Sequence, residues 1–204
     1  GTLGIFALNH INPQGSFFGL MSKSGAFGLL SIAMYVLVYT PLKRISPFAI
    51  TVGAVPGAIP FLLGFVAATD DFGVAAGTLF AIQFFWQYPH FIAIAWVQDT
   101  EYKNAGFKMM FGGEKGKYPA FIGVITAILM TFISVIPFLL EIPLLSLSIY
   151  GAFTVFLLGV WFTFKTVKLY QKCDDLTARS LMLSSFVYLP LMQIVYVLDK
   201  FLIQ

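Results

Sequence analysis

Residues 119–140 read PAFIGVITAILMTFISVIPFLL, a stretch without a single charged side chain. About 20 apolar residues are needed to cross roughly 30 Å of hydrocarbon as an α-helix. A helix is the expected form, because every backbone polar group in lipid must be satisfied within the segment. Five more apolar stretches of similar length lie at residues 25–41, 47–68, 73–97, 144–167 and 178–199. The sequence therefore predicts an all-α, multi-pass membrane protein with about six full helices.

The composition of the whole chain supports this prediction. Of its 204 residues, 59% are hydrophobic and only 10% are charged, and the mean hydropathy is +0.88. Soluble domains carry about 25% charged residues, and a soluble chain of this length could not bury so much apolar surface. The single cysteine, Cys173, allows neither an internal disulfide nor a cysteine-based metal site.

The first residues read as the end of a helix. Gly1 stands inside an apolar run that ends near Asn9, and no charged region precedes this run. We therefore expect residues 1–204 to be one membrane domain that is incomplete at its N-terminus. Residues 10–24 contain turn residues and are predicted to form a loop.

Basic residues predict the orientation. With alternating crossings, two of the twelve Lys and Arg residues, Lys23 and Lys200, fall on one face of the membrane. The other face should be cytoplasmic by the positive-inside rule, and a bacterial inner membrane is the expected location. Because these residues are spread along one membrane face, they do not suggest nucleic-acid binding. The residues assigned to the cytoplasmic face are Lys43, Arg44, Lys103, Lys108, Lys115, Lys117, Lys165, Lys168, Lys172 and Arg179.

Two polar or irregular stretches each allow a structural and a functional interpretation. Tyr39-Thr-Pro-Leu-Lys-Arg44 is either a helix end whose basic side chains reach the interface or a clamp for a phosphate group. Residues 53–60 read GAVPGAIP and are followed by Gly64. Their small residues and prolines favour either close helix packing or a kinked helix that lines a cavity.

The third stretch, residues 83–106, has the most polar detail. Gln83, Gln87 and His90 share a helix face, and Glu101 returns to that face if the helix continues, with Asp99 nearly opposite. Polar residues inside a span usually face the interior of a bundle. The structural alternatives are a hydrogen-bonded buried histidine and a solvated acidic turn. Residues 107–117, FKMMFGGEKGK, are either an interfacial cap over this end of the bundle or a plain connector.

These stretches resemble, in order and spacing, the signature elements of heme O synthases within the UbiA prenyltransferase superfamily. The similar elements are Tyr39–Arg44, Gly53–Pro60, Trp86-Gln-Tyr-Pro-His-Phe91 and Glu101-Tyr-Lys-Asn-Ala-Gly106. The resemblance covers residues 40–115. It implies a nine-helix enzyme of which this chain would hold the last six helices and the end of the third. The first acidic motif of the family is absent from this sequence, and Met110-Phe111 stands where the family usually has Leu-Pro.

The resemblance also implies an activity, which is transfer of farnesyl from farnesyl diphosphate to a vinyl group of heme B. Mg²⁺ would bridge carboxylates and the diphosphate, while heme-handling or oxidase-assembly proteins and membrane lipid would be partners. Glu101 stands where the family has Asp, and Asp99 would be the second catalytic and metal-binding acid. The other residues implied are Lys43 and Arg44 with Lys103 for the diphosphate, Tyr39 and Tyr102 for substrate, and Trp86, Gln87 and His90 for the heme side.

Two other functions stay open at this point. One is prenyl transfer to a different acceptor, such as an aromatic quinone precursor, although the Trp86–Phe91 element argues against it. The other is a transporter or structural membrane subunit, because Gly/Pro breaks and a polar stripe also suit transporters. The six stretches show no inverted repeat, which argues against the transporter.

Overall fold

The computed structural model describes residues 1–11, 16–17 and 21–202, and in these ranges the chain is almost entirely helical. A two-residue antiparallel pair, β1 (Ser16–Phe17) with β2 (Met21–Ser22), links the first two helices. The helices are α1 (Thr2–His10), α2 (Lys23–Ala33), α3 (Thr40–Leu42), α4 (Ala49–Thr69), α5 (Val74–Val97), α6 (Asp99–Asn104), α7 (Lys117–Ile133), α8 (Ile136–Leu139), α9 (Ile149–Lys172) and α10 (Asp175–Leu202).

A π-helix, Met34–Tyr39, joins α2 and α3 into one continuous rod, Lys23–Leu42. The cause lies in Pro41, which has no N–H to donate and so disturbs the helical ladder behind it. The hydroxyl of Thr40 donates to the carbonyl of Tyr35 at 2.8 Å. The π-helix therefore ends at Tyr39, which is the first residue of the first polar stretch.

Six long helices confirm the predicted number of apolar segments. Five of them are long and apolar enough to cross a membrane, namely Lys23–Leu42, Ala49–Thr69, Lys117–Leu139, Ile149–Lys172 and Asp175–Leu202. The sixth, α5, is not in this set and carries Gln83, Gln87 and His90. The chain is an integral membrane protein.

Two predicted boundaries are wrong by several residues. The fifth segment starts at Ile149 instead of 144 and runs on to Lys172, and the sixth begins at Asp175 instead of 178. Local caps explain the tight turn between them. Cys173 takes a left-handed conformation (φ 51°) at the end of α9, and the carboxylate of Asp174 accepts from the Thr177 N–H at 2.7 Å. The predicted loop at 10–24 is also shorter, because α2 already begins at Lys23; residues 12–15 and 18–20 of that prediction lie outside the described residues.

The bundle is organised around α5. This helix packs against α4, α7 and α10, and α9 joins α7 to α10 so that four helices form a closed ring. On the other side of α4 come α2 and then α1. Trp96, Phe162 and Tyr188 are fully buried inside the ring. The outward faces of α2, α7, α9 and α10 expose large apolar side chains, as a lipid-facing surface requires.

Short turns place three connections at the same end of the bundle. They are residues 43–48, 98–116 and 173–174, and they hold Lys43, Arg44, Lys103, Lys108 and Lys115, half of the predicted cytoplasmic basic residues. We call this the basic end. The polar residues singled out in the sequence lie on or near it, along α5.

Candidate functional site

A cavity of about 520 Å³ opens at the basic end, and we call it the mouth cavity. The turn before α4, the junction of α5 and α6, and the segment after α6 each form one wall. Its lining residues are Ile45, Pro47, Ala95, Asp99, Tyr102, Lys103, Phe107, Lys108, Met109, Met110, Gly112 and Gly113. The acidic turn and the predicted cap therefore enclose one space.

The polar groups of the mouth cavity are mainly cationic. Lys103 donates from Nζ to Oδ2 of Asp99 at 2.8 Å, and this hydrogen bond raises the pKa of the Lys103 ammonium. Burial raises the pKa of the Tyr102 phenol, which keeps its proton and can donate. Lys108 adds a second ammonium group. Two ammonium groups, one carboxylate and a phenol form a site suited to an anion that carries a metal ion.

The basic pair Lys43 and Arg44 lies beside this cavity instead of on its lining. The Lys43 ammonium is 4.4 Å from the centre of the Phe107 ring, and the Arg44 guanidinium is 5.9 Å from it. Phe107 also packs edge-on against Tyr102, with ring centres 6.1 Å apart. The structure thus brings the first polar stretch next to the acidic turn, with one aromatic ring between them.

The third segment, predicted at 73–97, ends where expected, and the helix does not continue to Glu101. The helix ends at Val97, and Gln98 adopts a non-helical conformation (φ −101°, ψ 22°) before α6 starts. This break rotates the acidic turn. Asp99, whose side chain is 16% exposed, lines the mouth cavity, whereas Glu101 is exposed and is not on its lining. Of the two predicted metal-binding acids, the structure places only Asp99 on the cavity.

A second cavity, of about 300 Å³, lies deeper along the bundle, and we call it the membrane cavity. It is bounded by the π-helix region, α4 and α5. Its lining residues are Ser31, Ile32, Tyr35, Val36, Tyr39, Gly53, Pro56, Gly57, Gln87 and Phe91. All three polar or irregular stretches of the sequence contribute to this lining.

Glycines and prolines of α4 shape the membrane cavity. A Cβ atom on Gly53 would fall 2.7 Å from the Tyr39 ring, and one on Gly57 would overlap the Gln87 amide. Pro60 has no N–H to give to the carbonyl of Pro56 four residues earlier. The Ser31 hydroxyl donates to that carbonyl instead, at 3.0 Å. The glycines and prolines of residues 53–60 therefore both allow close helix packing and form part of the cavity wall.

The two cavities follow each other along α5. Phe91 lines the membrane cavity and Ala95, one turn later, lines the mouth cavity. At 1.5 Å of rise per residue, these positions are about 6 Å apart along the axis. The two cavities therefore lie close together along the axis of α5.

Trp86, Gln87 and His90 were predicted to line one cavity, but their side chains face different helices. Gln87 donates to the carbonyl of Ala54 in α4 at 3.0 Å. His90 turns toward α10, where Nδ1 lies 2.7 Å from the hydroxyl of Ser185, and its ring stacks on Trp86 with centres 4.5 Å apart. Because α5 packs between α4 and α10, the small angle between Gln87 and His90 around the helix is enough for them to contact different helices.

The hydroxyl of Ser185 links His90 to the backbone of α10. While this hydroxyl donates its single proton to the carbonyl of Met182, 2.5 Å away, it accepts from the imidazole. In that arrangement Nδ1 carries the proton and Nε2 keeps its lone pair. A neutral imidazole with a bare Nε2 can act as an acceptor or as a ligand to iron. Ser185 was not singled out in the sequence, since a serine in a span normally bonds only to its own helix.

The mouth cavity offers one carboxylate, that of Asp99, to a metal ion. Among the residues that the structure describes, no three His, Cys, Asp or Glu side chains are grouped closely enough to hold a metal. Mg²⁺ is nevertheless often bound by one or two carboxylates together with substrate phosphates and water. Asp99 fits this role as a single carboxylate on an otherwise basic cavity. Within the described ranges, the chain does not supply a complete set of metal ligands. It suits a metal ion that binds together with an anionic substrate.

Comparison with known proteins agrees with this arrangement. Residues 2–189 match the UbiA prenyltransferase family. The chain belongs to the UbiA prenyltransferase family. It is 46% identical over 199 residues to a protein of Flavobacterium psychrophilum named protoheme IX farnesyltransferase, covering 98% of this chain and 63% of that protein. No solved structure matched the chain.

Other relatives with the same name are similar at comparable levels. The protein of Flavobacterium johnsoniae is 46% identical over 181 residues, which are 89% of this chain and 60% of that protein. The protein of Christiangramia forsetii is 41% identical over 200 residues, which are 98% of this chain and 64% of that protein. The chain thus spans somewhat less than two thirds of the length of these curated relatives.

Proposed function

We propose that the protein transfers a farnesyl group from farnesyl diphosphate to a vinyl group of heme B, giving heme O. The observation that carries this proposal is the pair of adjoining cavities, one basic at the membrane surface and one largely apolar within the bundle. The name of the relatives in three bacteria supports the choice of donor and acceptor. Membership of a prenyltransferase family argues against the transporter alternative.

The donor would bind across both cavities. Lys103 and Lys108 would hold the diphosphate in the mouth cavity, and Lys43 and Arg44 would add positive charge from behind Phe107. The Tyr102 phenol can donate to the same anion. The prenyl chain would lie in the membrane cavity against Tyr39 and its neighbours.

The reaction would begin with cleavage of the bond between the first farnesyl carbon and the diphosphate oxygen. That carbon would then bond to the terminal vinyl carbon of heme B, and water would supply hydroxyl to the inner vinyl carbon and release a proton. Cations around the diphosphate stabilise it as it leaves. The apolar walls of the membrane cavity keep other water away from the allylic carbon. Mg²⁺ held by Asp99, with Glu101 as the other acid that the family resemblance implies, would neutralise charge on the diphosphate.

Heme B would meet the α5 surface that carries Trp86 and His90, whereas Gln87, the third residue expected on the heme side, lines the membrane cavity. The stacked pair of Trp86 and His90 offers a flat face for a porphyrin, and the Nε2 lone pair of His90 is a suitable iron ligand. This side of α5 borders α10 and not the membrane cavity.

The proposed location is a bacterial inner membrane with the basic end in the cytoplasm. Lys and Arg are concentrated at that end, as the positive-inside rule requires. Farnesyl diphosphate would reach the mouth cavity from the cytoplasm. Heme-handling or oxidase-assembly proteins would deliver heme B or receive heme O.

A product assay tests the proposed function. Membranes with the protein, including its natural upstream sequence, would receive heme B, farnesyl diphosphate and Mg²⁺, and extracted heme would be examined by mass spectrometry. We expect a heme that has gained farnesyl and water. A parallel reaction with aromatic quinone precursors tests the other acceptor class. Prenylation of those compounds with unmodified heme would contradict the proposed acceptor.

A further inference from the structure

The segment after α6 covers the mouth cavity and is held firmly at its beginning. The N–H of Lys108 donates to the carbonyl of Lys43 at 2.7 Å, and Phe107 packs under the Lys43 ammonium. Met109 and Met110 are 7% and 4% exposed and belong to the hydrophobic core. We call residues 105–116 the mouth segment.

The second half of the mouth segment begins at Phe111, which stacks on Tyr88 with ring centres 6.3 Å apart, and continues with two glycines. Gly112 and Gly113 adopt positive φ angles of 78° and 86°, and both line the cavity. These conformations suit glycine, which has no Cβ. Between this glycine pair and α7, an ion pair attaches the segment to another helix.

Lys115 supplies that attachment. Its ammonium lies 2.8 Å from Oδ1 of Asp175, the first residue of α10. The same oxygen accepts a hydrogen bond from the indole N–H of Trp96 at 3.0 Å. Trp96 is only 1% exposed and directly follows Ala95, which lines the cavity. A buried indole thus holds the exposed carboxylate in place, and the carboxylate holds the mouth segment.

The two adjacent acids at this turn have separate roles. Asp174 accepts from the N–H and the hydroxyl of Thr177, at 2.7 Å and 2.8 Å, and caps α10. Accepting that N–H lowers the pKa of the Asp174 carboxyl. Asp175 does not serve the cap and instead reaches across to α5 and the mouth segment. Asp174 is therefore a natural control for Asp175.

We propose that Asp175 is a positioning residue that keeps the mouth segment closed over the anion site through Lys115. This inference rests on the proposed function for its catalytic readout. Because Asp175 does not line the cavity, its loss should change how well the diphosphate is held and leave the chemical step alone. KM for farnesyl diphosphate should rise with kcat nearly unchanged.

The experiment compares D175N, K115Q, the swap D175K/K115E and the control D174N. Asn at 175 can still accept from Trp96 but no longer pairs with Lys115, while Asn at 174 still caps a helix. For D175N and K115Q we expect roughly a three- to fivefold higher KM, the scale of an ion pair near the surface. Amide hydrogen exchange should rise in residues 111–116. The swap should recover part of both effects, and the difference should shrink at high ionic strength.

Exchange and KM that match wild type in D175N, or that change equally in D175N and D174N, would overturn the proposal. Folding is checked in the same exchange experiment, through the amides of α9 and α10. If wild type forms no heme O, the proposed function fails and the inference is then decided without catalysis. In that case titration with inorganic pyrophosphate should still show weaker binding and faster exchange in D175N than in D174N.

Discussion

Gly57 determines how Gln87 can stand between α4 and α5. The side-chain amide of Gln87 occupies the space that a Cβ at Gly57 would need and donates to the carbonyl of Ala54. Gln87 also lines the membrane cavity. Because Gly57 has no side chain, Gln87 can both form a hydrogen bond to α4 and line the membrane cavity.

We expect Gly57→Ala to displace Gln87 and to lower the free energy of unfolding by about 1–3 kcal/mol, the usual effect of overpacking. The control is Gly64→Ala in the same helix, where a Cβ meets nothing within 4 Å. Thermal unfolding in detergent measures both variants. Equal melting temperatures would show that Gln87 can move aside without loss.

Ser185 acts on His90 in a similarly local way. Its hydroxyl lies 2.7 Å from Nδ1, and a proton on Nδ1 in this contact leaves the Nε2 lone pair free. We expect Ser185→Ala to weaken heme binding about tenfold, as loss of a partner behind a metal-binding histidine commonly does. Ser184 is the matched control, because its hydroxyl bonds only to the carbonyl of Ser180 in its own helix. Heme titration followed by absorbance compares the variants, and identical curves for both serines would contradict the role of Ser185.

At the scale of elements, the break at Gln98 decides which acid lines the mouth cavity. A continuous helix would bring Glu101 to the polar face, but the observed turn brings Asp99 to the mouth cavity. The family resemblance favours Glu101, so the two acids make a direct test of the resemblance against the geometry.

We expect Asp99→Asn to lower kcat/KM on the order of 100-fold, since it removes a carboxylate from a site of developing charge. Glu101→Gln should have a much smaller effect because that side chain is exposed. Steady-state rates of heme O formation check both, with circular dichroism as a control for folding. A larger loss in Glu101→Gln would mean that α6 turns when substrate binds.

The turn between α9 and α10 is decided at the same scale. Cys173 in a left-handed conformation and the Asp174 cap reverse the chain within two residues. This tight reversal leaves Asp175 at the start of α10, within reach of Lys115 and Trp96. A longer connection would carry that carboxylate away from the mouth segment.

At the scale of the whole molecule, six alternating helices separate a basic end from the opposite end. In a Cys173→Ser background, Thr100→Cys at the basic end should react with an impermeant maleimide in inverted inner-membrane vesicles. Asp71→Cys, on the short turn between α4 and α5 at the other end, should react only in right-side-out spheroplasts. The reverse pattern would overturn the proposed orientation.

The sequence alone determined the membrane-embedded helical class, the number of long helices and the residues around which the cavities form. These follow from local physics, because length and apolarity settle whether a segment enters lipid. It also singled out the stretches at 39–44, 53–60 and 83–106, since polar residues and helix breakers stand out in an apolar chain.

Only the tertiary structure decided how those side chains are distributed. Helical periodicity placed Gln87 and His90 on one face, but packing against α4 and α10 separated them. It placed Glu101 with them, but the conformation of Gln98 brought in Asp99. The partnership of Trp96, Lys115 and Asp175 joins residues far apart in the chain, and no local pattern encodes it. Periodicity describes one helix, whereas contacts depend on where its neighbours lie.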